Sequence, residues 1–305
     1  LITIAYDSVA PAATVSSTST SPTNDSPIAF NIHFSESVTG LTAAGLTVTG
    51  GTAGSLGGSG QDYTISVTPT AGSDHAVALQ VNASAAQDAS GNGNTPSNLL
   101  SLQYDATSPT VTVSGPSSPN NTAPFVFTLA FSEPVNGLTA AGLTVSGGTA
   151  GSLTPSGLNG YTVSVTPSGN GTVSVQVPAG AAKDDAGNNN SASNTASVVY
   201  DSVAPTATVS APARSNNSPY TVTITFSESV TGLSSAGLDV TNGAASNLQG
   251  SGSSYTADIT PAGQGPVTVR VSGGAAKDAA SNPNVQSNLA STTYDSIAPQ
   301  VTISA

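Results

Sequence analysis

The chain has no cysteine, methionine or tryptophan, and Lys183, Arg214, Arg270 and Lys277 are the only basic side chains besides His33 and His75 in its 305 residues. Each shortage closes a class of function. Without cysteine there is no disulfide framework, no thiolate metal site and no cysteine nucleophile. Four cations set against 16 acidic residues leave a formal net charge of −12, so no basic face exists for nucleic acid or for an anionic lipid surface. Charged residues of both signs make up 7% of the chain, where a typical soluble domain carries about 25%. Gly, Ser, Thr, Asn, Pro and Val stand in their place, which gives a polar but uncharged surface suited to an extended secreted array. No apolar run approaches the roughly 18 residues that a membrane-spanning helix needs, and no signal peptide is visible. The two histidines are far too few, and too isolated, to furnish an acid–base pair, so an enzyme is not expected.

What the chain does have is repetition. Tyr-Asp-x-x-x-Pro occurs at Tyr6-Asp7, Tyr104-Asp105, Tyr200-Asp201 and Tyr294-Asp295, at spacings of 98, 96 and 94 residues. Solenoid units are about 20–50 residues long; a period near 96 is that of an independent domain with its own core. The expected division is a last strand of a preceding repeat at 1–6, repeats at 7–104, 105–200 and 201–294, and the start of a following repeat at 295–305. Strand-like residues at both ends, Leu1–Ile4 and Val301–Ile303, make the chain read as a segment of a longer protein.

Helical periodicity is nearly absent, and period-2 alternation is everywhere. Ile28, Phe30, Ile32 and Phe34 alternate with Ala29, Asn31 and His33; Phe125, Phe127, Leu129 and Phe131 repeat the pattern, as do Tyr220, Val222, Ile224 and Phe226. A short, weak fourth strand is marked by Leu56, Leu153 and Leu248, and a clear fifth by Tyr63, Tyr161 and Tyr255. The predicted fold is all-β: three tandem immunoglobulin-like seven-stranded β-sandwiches in an extended array. The strand-five tyrosines read as core anchors, and the tyrosine beside each linker aspartate as the one aromatic that packs on a neighbouring repeat.

The acids carry the chemical signal. The chain has three glutamates, Glu36, Glu133 and Glu228, all at one repeat position in Phe-Ser-Glu-[Ser/Pro]-Val. Asp88, Asp184 and Asp278 share a second position, in Ala-Ala-[Gln/Lys]-Asp after strand six, and Asp7, Asp105, Asp201 and Asp295 share a third, in the linker. Ten of the 16 acidic residues therefore fall at three positions. In a seven-stranded sandwich, strands two and six both end at the pole where the linker enters, so these carboxylates converge; without the fourth strand the parity flips and they do not. A carboxylate pair at about 4 Å costs on the order of 1 kcal/mol in water and about 4 kcal/mol at an effective dielectric of 20. With almost no Lys or Arg to compensate, an oxygen-only donor set selects a hard cation, Ca2+ before Mg2+. Asn92, Asn188 and Asn282 can add an amide oxygen. The competing reading is turn chemistry, since Asp and Asn also close tight loops; glutamate is a poor turn residue.

These three motifs in order resemble the bacterial immunoglobulin-like repeats of giant secreted adhesins and biofilm-associated surface proteins, over residues 7–294. The resemblance implies an extracellular or cell-surface adhesion protein whose repeats are extenders. It also implies Ca2+ near the domain junctions, carried onto Asp7, Glu36, Asp88 and Asn92; Asp105, Glu133, Asp184 and Asn188; and Asp201, Glu228, Asp278 and Asn282. Two departures are Ser281 where a loop glycine (Gly91, Gly187) is expected, and Asp185 beside Asp184, which leaves open which of the two ligates.

The function expected first is a non-enzymatic spacer stiffened by Ca2+, its partners the neighbouring repeats of the same chain. The alternatives are a subunit of an extracellular filament, assembled with other copies of itself by strand exchange or lateral packing, and a glycan- or protein-binding module. The last is disfavoured by the shortage of Trp, Tyr and Arg anchors.

Overall fold

The computed structural model describes residues 6–72 and 74–303. In the second repeat, one sheet runs Gly148–Pro155, Gly160–Pro167, Phe125–Phe131, Val111–Ser114, and the other runs Ala196–Tyr200, Gly171–Gln176, Thr144–Ser146. In chain order these are strands four, five, two, one against seven, six, three, the four-on-three arrangement of an immunoglobulin sandwich. All of these neighbours pair antiparallel. The weak fourth strand therefore exists, and strands two and six run the same way. In the first and third repeats strands four and five form one continuous ribbon, Gly51–Pro69 and Gly243–Pro261, which folds back so that Gly51 and Gly54 lie against Thr68 and Ser66.

Alternation builds the cores as the sequence implies. Strand two of the first repeat, Ile28–Val38, buries every second residue from Ile28 to Phe34, and the equivalent strands Phe125–Phe131 and Tyr220–Val230 do the same. Each repeat has its own hydrophobic cluster. The strand-five tyrosines are inward anchors with a polar handle. Tyr63, Tyr161 and Tyr255 lie edge-on to Phe34, Phe131 and Phe226, and their hydroxyls donate to the carbonyls of Val38, Val135 and Val230.

The linker tyrosines differ from expectation. Tyr104, Tyr200 and Tyr294 pack on the core of the repeat they close, Tyr104 against His75 and Tyr200 against Phe125. Each ends a paired seventh strand, which fixes its ring against its own sandwich before the chain reaches the linker. Of the terminal expectations, the strand at 1–6 falls largely on residues outside those described, and Val301–Ile303 carries no strand.

A turn constraint recurs between strands three and four. Gly50 and Gly147 have φ of 71° and 72°, and a Cβ there would sit 2.0 and 2.1 Å from the carbonyl oxygens of Ala76 and Thr172. The third repeat places Asn242 at φ 53° in this position, the side chain that tolerates the left-handed region best after glycine.

Strand seven of the third repeat contains a polar defect. Thr292 is fully buried where the other repeats have Leu102 and Val198, and its hydroxyl, like that of Tyr220, has no hydrogen-bond partner among the described residues. Replacing a buried unsatisfied hydroxyl by a methyl recovers the desolvation cost. Thr292→Val is expected to stabilise the third repeat by about 1 kcal/mol, a melting shift of roughly 4–8 °C for a domain of this size. Differential scanning calorimetry of the whole chain should show one transition moving up, and a downward shift would contradict the assignment.

Candidate metal centre

The antiparallel wiring brings the end of strand two, the loop after strand six and the incoming linker to one pole of each repeat. Three clusters result: Asp7, Glu36 and Asp88; Asp105, Glu133 and Asp184; Asp201, Glu228 and Asp278. Within each, one carboxylate oxygen per residue lies within 4.8 Å of the others. Residues up to about 80 positions apart are thus assembled three times by the same route. The ion pairs seen among the described residues lie elsewhere, at His33–Asp62 and Arg270–Asp239.

The loop aspartate is the innermost member. Asp88, Asp184 and Asp278 are 5–6% exposed. Asp88 Oδ1 accepts from the backbone N–H groups of Ser90 and Asn92, and its Oδ2 accepts from Asn92 Nδ2 at 2.8 Å. Asp184 and Asp278 receive the same pair of bonds from Asn188 and Asn282. The Asn92 side chain, chiefly, holds Asp88 below the ordinary aspartate pKa; burial opposes this, and the backbone donors of Asn92, Ser90 and Gly91 reinforce it.

The second member comes from strand two. Burial raises the carboxyls of Glu133 and Glu228 above the ordinary value, and like charges add to it: Asp184, Asp105 and Asp74 around Glu133, Asp278 and Asp201 around Glu228. Asp74 belongs to the preceding repeat, so Glu133 senses charge from both sides of its junction.

The linker aspartate forms a turn as well as a cluster. Asp7, Asp105 and Asp201 each accept at Oδ1 from the N–H two residues on, at 3.0, 2.8 and 3.0 Å. The turn chemistry weighed against metal binding is real here, and it coexists with the clustering. Asp295 makes the same turn with Ile297.

The asparagine that follows each loop aspartate by four residues takes a different part from the oxygen donor expected of it. Its amide nitrogen faces the aspartate and also donates to the linker carbonyl: Asn92 to Asp7 O, Asn188 to Asp105 O and Asn282 to Asp201 O, at 3.1, 3.0 and 2.9 Å. Two acceptors on one side fix the amide with its oxygen turned away from the aspartate. Sequence could not give this, because an asparagine does not declare which end faces a carboxylate. Of the neighbouring pair, Asp184 lies in the cluster, whereas Asp185 accepts from Asn136 Nδ2 at the surface. Ser281 occupies the loop-glycine position at φ 74°, against 88° and 94° for Gly91 and Gly187, so it carries strain that the glycines avoid.

Three further sets of residues support the site without being singled out by the sequence reading. Ser35, Ser132 and Ser227, each just before the glutamate, accept from the N–H groups of Ala12, Thr110 and Thr206 and so pin the linker to strand two. Asn94, Asn190 and Asn284 are buried and bond Ala86, Ala182 and Ala276 N–H, which shapes the loop. Asn98, Asn194 and Asn288 bond both backbone groups of Val15, Val113 and Val209 and dock the first strand. Their signal was present, since each recurs at a constant repeat position, but uncharged polar residues are too abundant in this chain for that to stand out.

A family model described as a bacterial Ig-like domain matches residues 7–104, 105–200 and 201–294. No curated protein matches the chain. Among solved structures, the bacterial integrin-binding protein invasin is 16% identical with a TM-score of 0.38, covering 86% of this chain, which spans 56% of that one. InvD of Yersinia pseudotuberculosis is 13% identical with a TM-score of 0.39, covering 92% and 97% of the two chains. A tetra-tandem repeat from the extending region of a large adhesion protein is 19% identical with a TM-score of 0.31, covering 94% and 75%.

The raised glutamates set a pH dependence for the metal-free protein. A carboxyl whose folded pKa lies above its unfolded value contributes stability that is full below the unfolded value and is lost as pH rises through the folded one. Above the ordinary 4.5 of Glu133 and Glu228, their charge therefore works against the fold. Asp88 acts in the opposite sense, at lower pH: below the ordinary 3.8 its contribution is lost as pH falls through its depressed value. Carbon-13 NMR titration in chelator should give midpoints above 4.5 for Glu133 and Glu228, and melting temperature should rise as pH falls from 7 toward about 5. Midpoints at or below the ordinary value would show that these side chains are not crowded.

Proposed function

Since the chain belongs to the bacterial immunoglobulin-like domain family, we propose that it is a non-enzymatic extender segment of a bacterial cell-surface or secreted adhesin, with Ca2+ stiffening the junctions between its repeats. The units of the spacer are residues 7–104, 105–200 and 201–294. The observation that carries this reading is the recurrence of the acid cluster where each linker enters a repeat, with oxygen ligands brought within 4.8 Å in all three copies.

The donor set fits a hard cation. Carboxylate oxygens are supplied without thiolate or imidazole, the chemistry that favours Ca2+ over transition metals. The residues that would hold it are Asp7, Glu36 and Asp88, Asp105, Glu133 and Asp184, and Asp201, Glu228 and Asp278. Asn92, Asn188 and Asn282 orient the loop aspartate and the linker instead of offering their oxygens. The bound ion would supply charge neutralisation: three divalent cations take the formal charge from −12 to −6. The linker aspartate is the member that ties this to mechanics, because it lies on the chain between two repeats. Fixing it to the glutamate and loop aspartate of the following repeat restricts the angle at which the chain enters. Pro11, Pro109 and Pro205 restrict the same segment covalently. Affinity in the millimolar range suffices for a module outside the cell.

Two measurements test the proposal. Small-angle scattering should give a longer and narrower distance distribution with Ca2+ than with chelator; an unchanged maximum dimension would remove the stiffening role. In calorimetry, Ca2+ at about 100 times its dissociation constant should stabilise a repeat by about 2.7 kcal/mol. Glu133→Gln should abolish much of that gain for the second repeat while raising its stability in chelator, since the substitution removes both a ligand and a source of repulsion. A variant that loses stability in chelator and keeps the full calcium response would contradict the ligand assignment.

A further inference from the structure

The orientation of the loop asparagine leaves its side-chain oxygen needing a donor, and the donor comes from the preceding repeat. Asn188 Oδ1 accepts from Asn24 Nδ2 at 3.1 Å, across 164 residues, and Asn282 Oδ1 accepts from Asn121 Nδ2 at 3.0 Å, across 161 residues. Asn282 is buried at 6% exposure, where an unmatched carbonyl oxygen is costly.

Asn24 and Asn121 are equivalent. Each lies in the segment between strands one and two, one residue beyond a backbone that is itself tied to the linker. Thr23 N donates to Gln103 O and Thr23 O accepts from Asp105 N; Asn120 N donates to Val199 O and Asn120 O accepts from Asp201 N. A closed ring follows at each junction. Asp105 N bonds Thr23 of the preceding repeat, Asp105 O accepts from Asn188 of the following repeat, and Asn188 accepts from Asn24, the neighbour of Thr23. The second ring runs through Asp201, Asn120, Asn121 and Asn282 in the same order.

We propose that Asn24 and Asn121 are junction-locking residues, each closing a hydrogen-bonded ring that sets the angle between successive repeats without any cation. The ring grips the backbone of the linker aspartate on both sides of its Cα, N–H by one repeat and C=O by the next, so the two repeats cannot rotate about the linker without breaking a member. Asn188 and Asn282 cannot turn their amides over to escape, because the nitrogen already serves two acceptors. This assignment does not depend on calcium binding. Asn216 occupies the equivalent position of the third repeat, following Ser215, whose carbonyl accepts from Asp295 N, and it marks the surface on which a further repeat of the same kind would seat its loop asparagine.

The absence of cysteine makes the test direct, since spin labels go only where cysteines are introduced. Ser16→Cys with Ser114→Cys reports the first junction and Ser114→Cys with Ser210→Cys the second, each read by electron–electron distance spectroscopy on the whole chain in chelator. Asn24→Ala should broaden the first distribution and leave the second unchanged, Asn121→Ala the reverse, and Asn216→Ala should alter neither. A single hydrogen bond of ordinary strength predicts about a fivefold rise in the undocked population. Asn24→Asp keeps the side-chain shape but cannot donate to Asn188, so it should broaden the distribution as Asn24→Ala does. If the Asn24→Ala distribution is as narrow as that of the unsubstituted chain, or if Asn24→Asp restores the narrow one, the lock is overturned. Both outcomes are read without calcium and are independent of the cation proposal.

Discussion

A buried carboxylate has to be matched by donors, and the junction is organised around that requirement. The loop aspartate of each repeat is almost wholly covered, so its oxygens demand hydrogen bonds or charge compensation. The loop supplies two backbone N–H groups to Asp88 and one amide nitrogen. That amide then has one hydrogen left, which it gives to the linker, and one oxygen, which takes a donor from the preceding repeat at the two junctions between described repeats. One buried charge thereby dictates the loop, the path of the linker and the seating of the neighbouring repeat.

Strand count is the second condition. Because seven antiparallel strands alternate in direction, strands two and six both finish where the linker enters, and the Phe-Ser-Glu tail meets the Ala-Ala-x-Asp loop there. One strand fewer would send the loop to the opposite pole. The strand that decides the matter is the weakest in sequence, marked by little more than Leu153 in Gly148–Pro155, and it is held by pairing with strand five. Tertiary context settles it more than intrinsic propensity does.

The acid positions were legible because charge is so scarce: when all three glutamates stand at one repeat position, the pattern cannot be an accident of composition. The alternating cores were equally plain, from Phe30 and Phe34 to Phe127 and Leu129. What escaped reading is the polar, uncharged scaffolding. Asn24, Asn121 and Asn216 share a repeat position in Asn-x-[Ser/Ala]-Pro, but asparagine is so common in this chain that the recurrence does not stand out, and Asn24 and Asn121 bond to residues that only folding brings near. Adjacency to the linker points the tyrosine beside it outward, but the last residues of a paired strand belong to the sheet that holds them, and Tyr104, Tyr200 and Tyr294 pack on their own cores accordingly.

The short contact between the strand-one-to-two segment and strand seven has a mechanical meaning. Thr23 bridges Tyr104, Asn120 bridges Tyr200, and Arg214–Ser215 pairs with Thr293–Tyr294, in each case parallel. Tension along the array draws on a repeat from its two ends, and parallel neighbours joined to opposite ends slide past one another instead of peeling apart. Their bonds, together with those that Thr23 and Asn120 make to the linker, then bear the load at the same moment. Stretching a repeat from its two ends would therefore have to break these bonds together and not one after another.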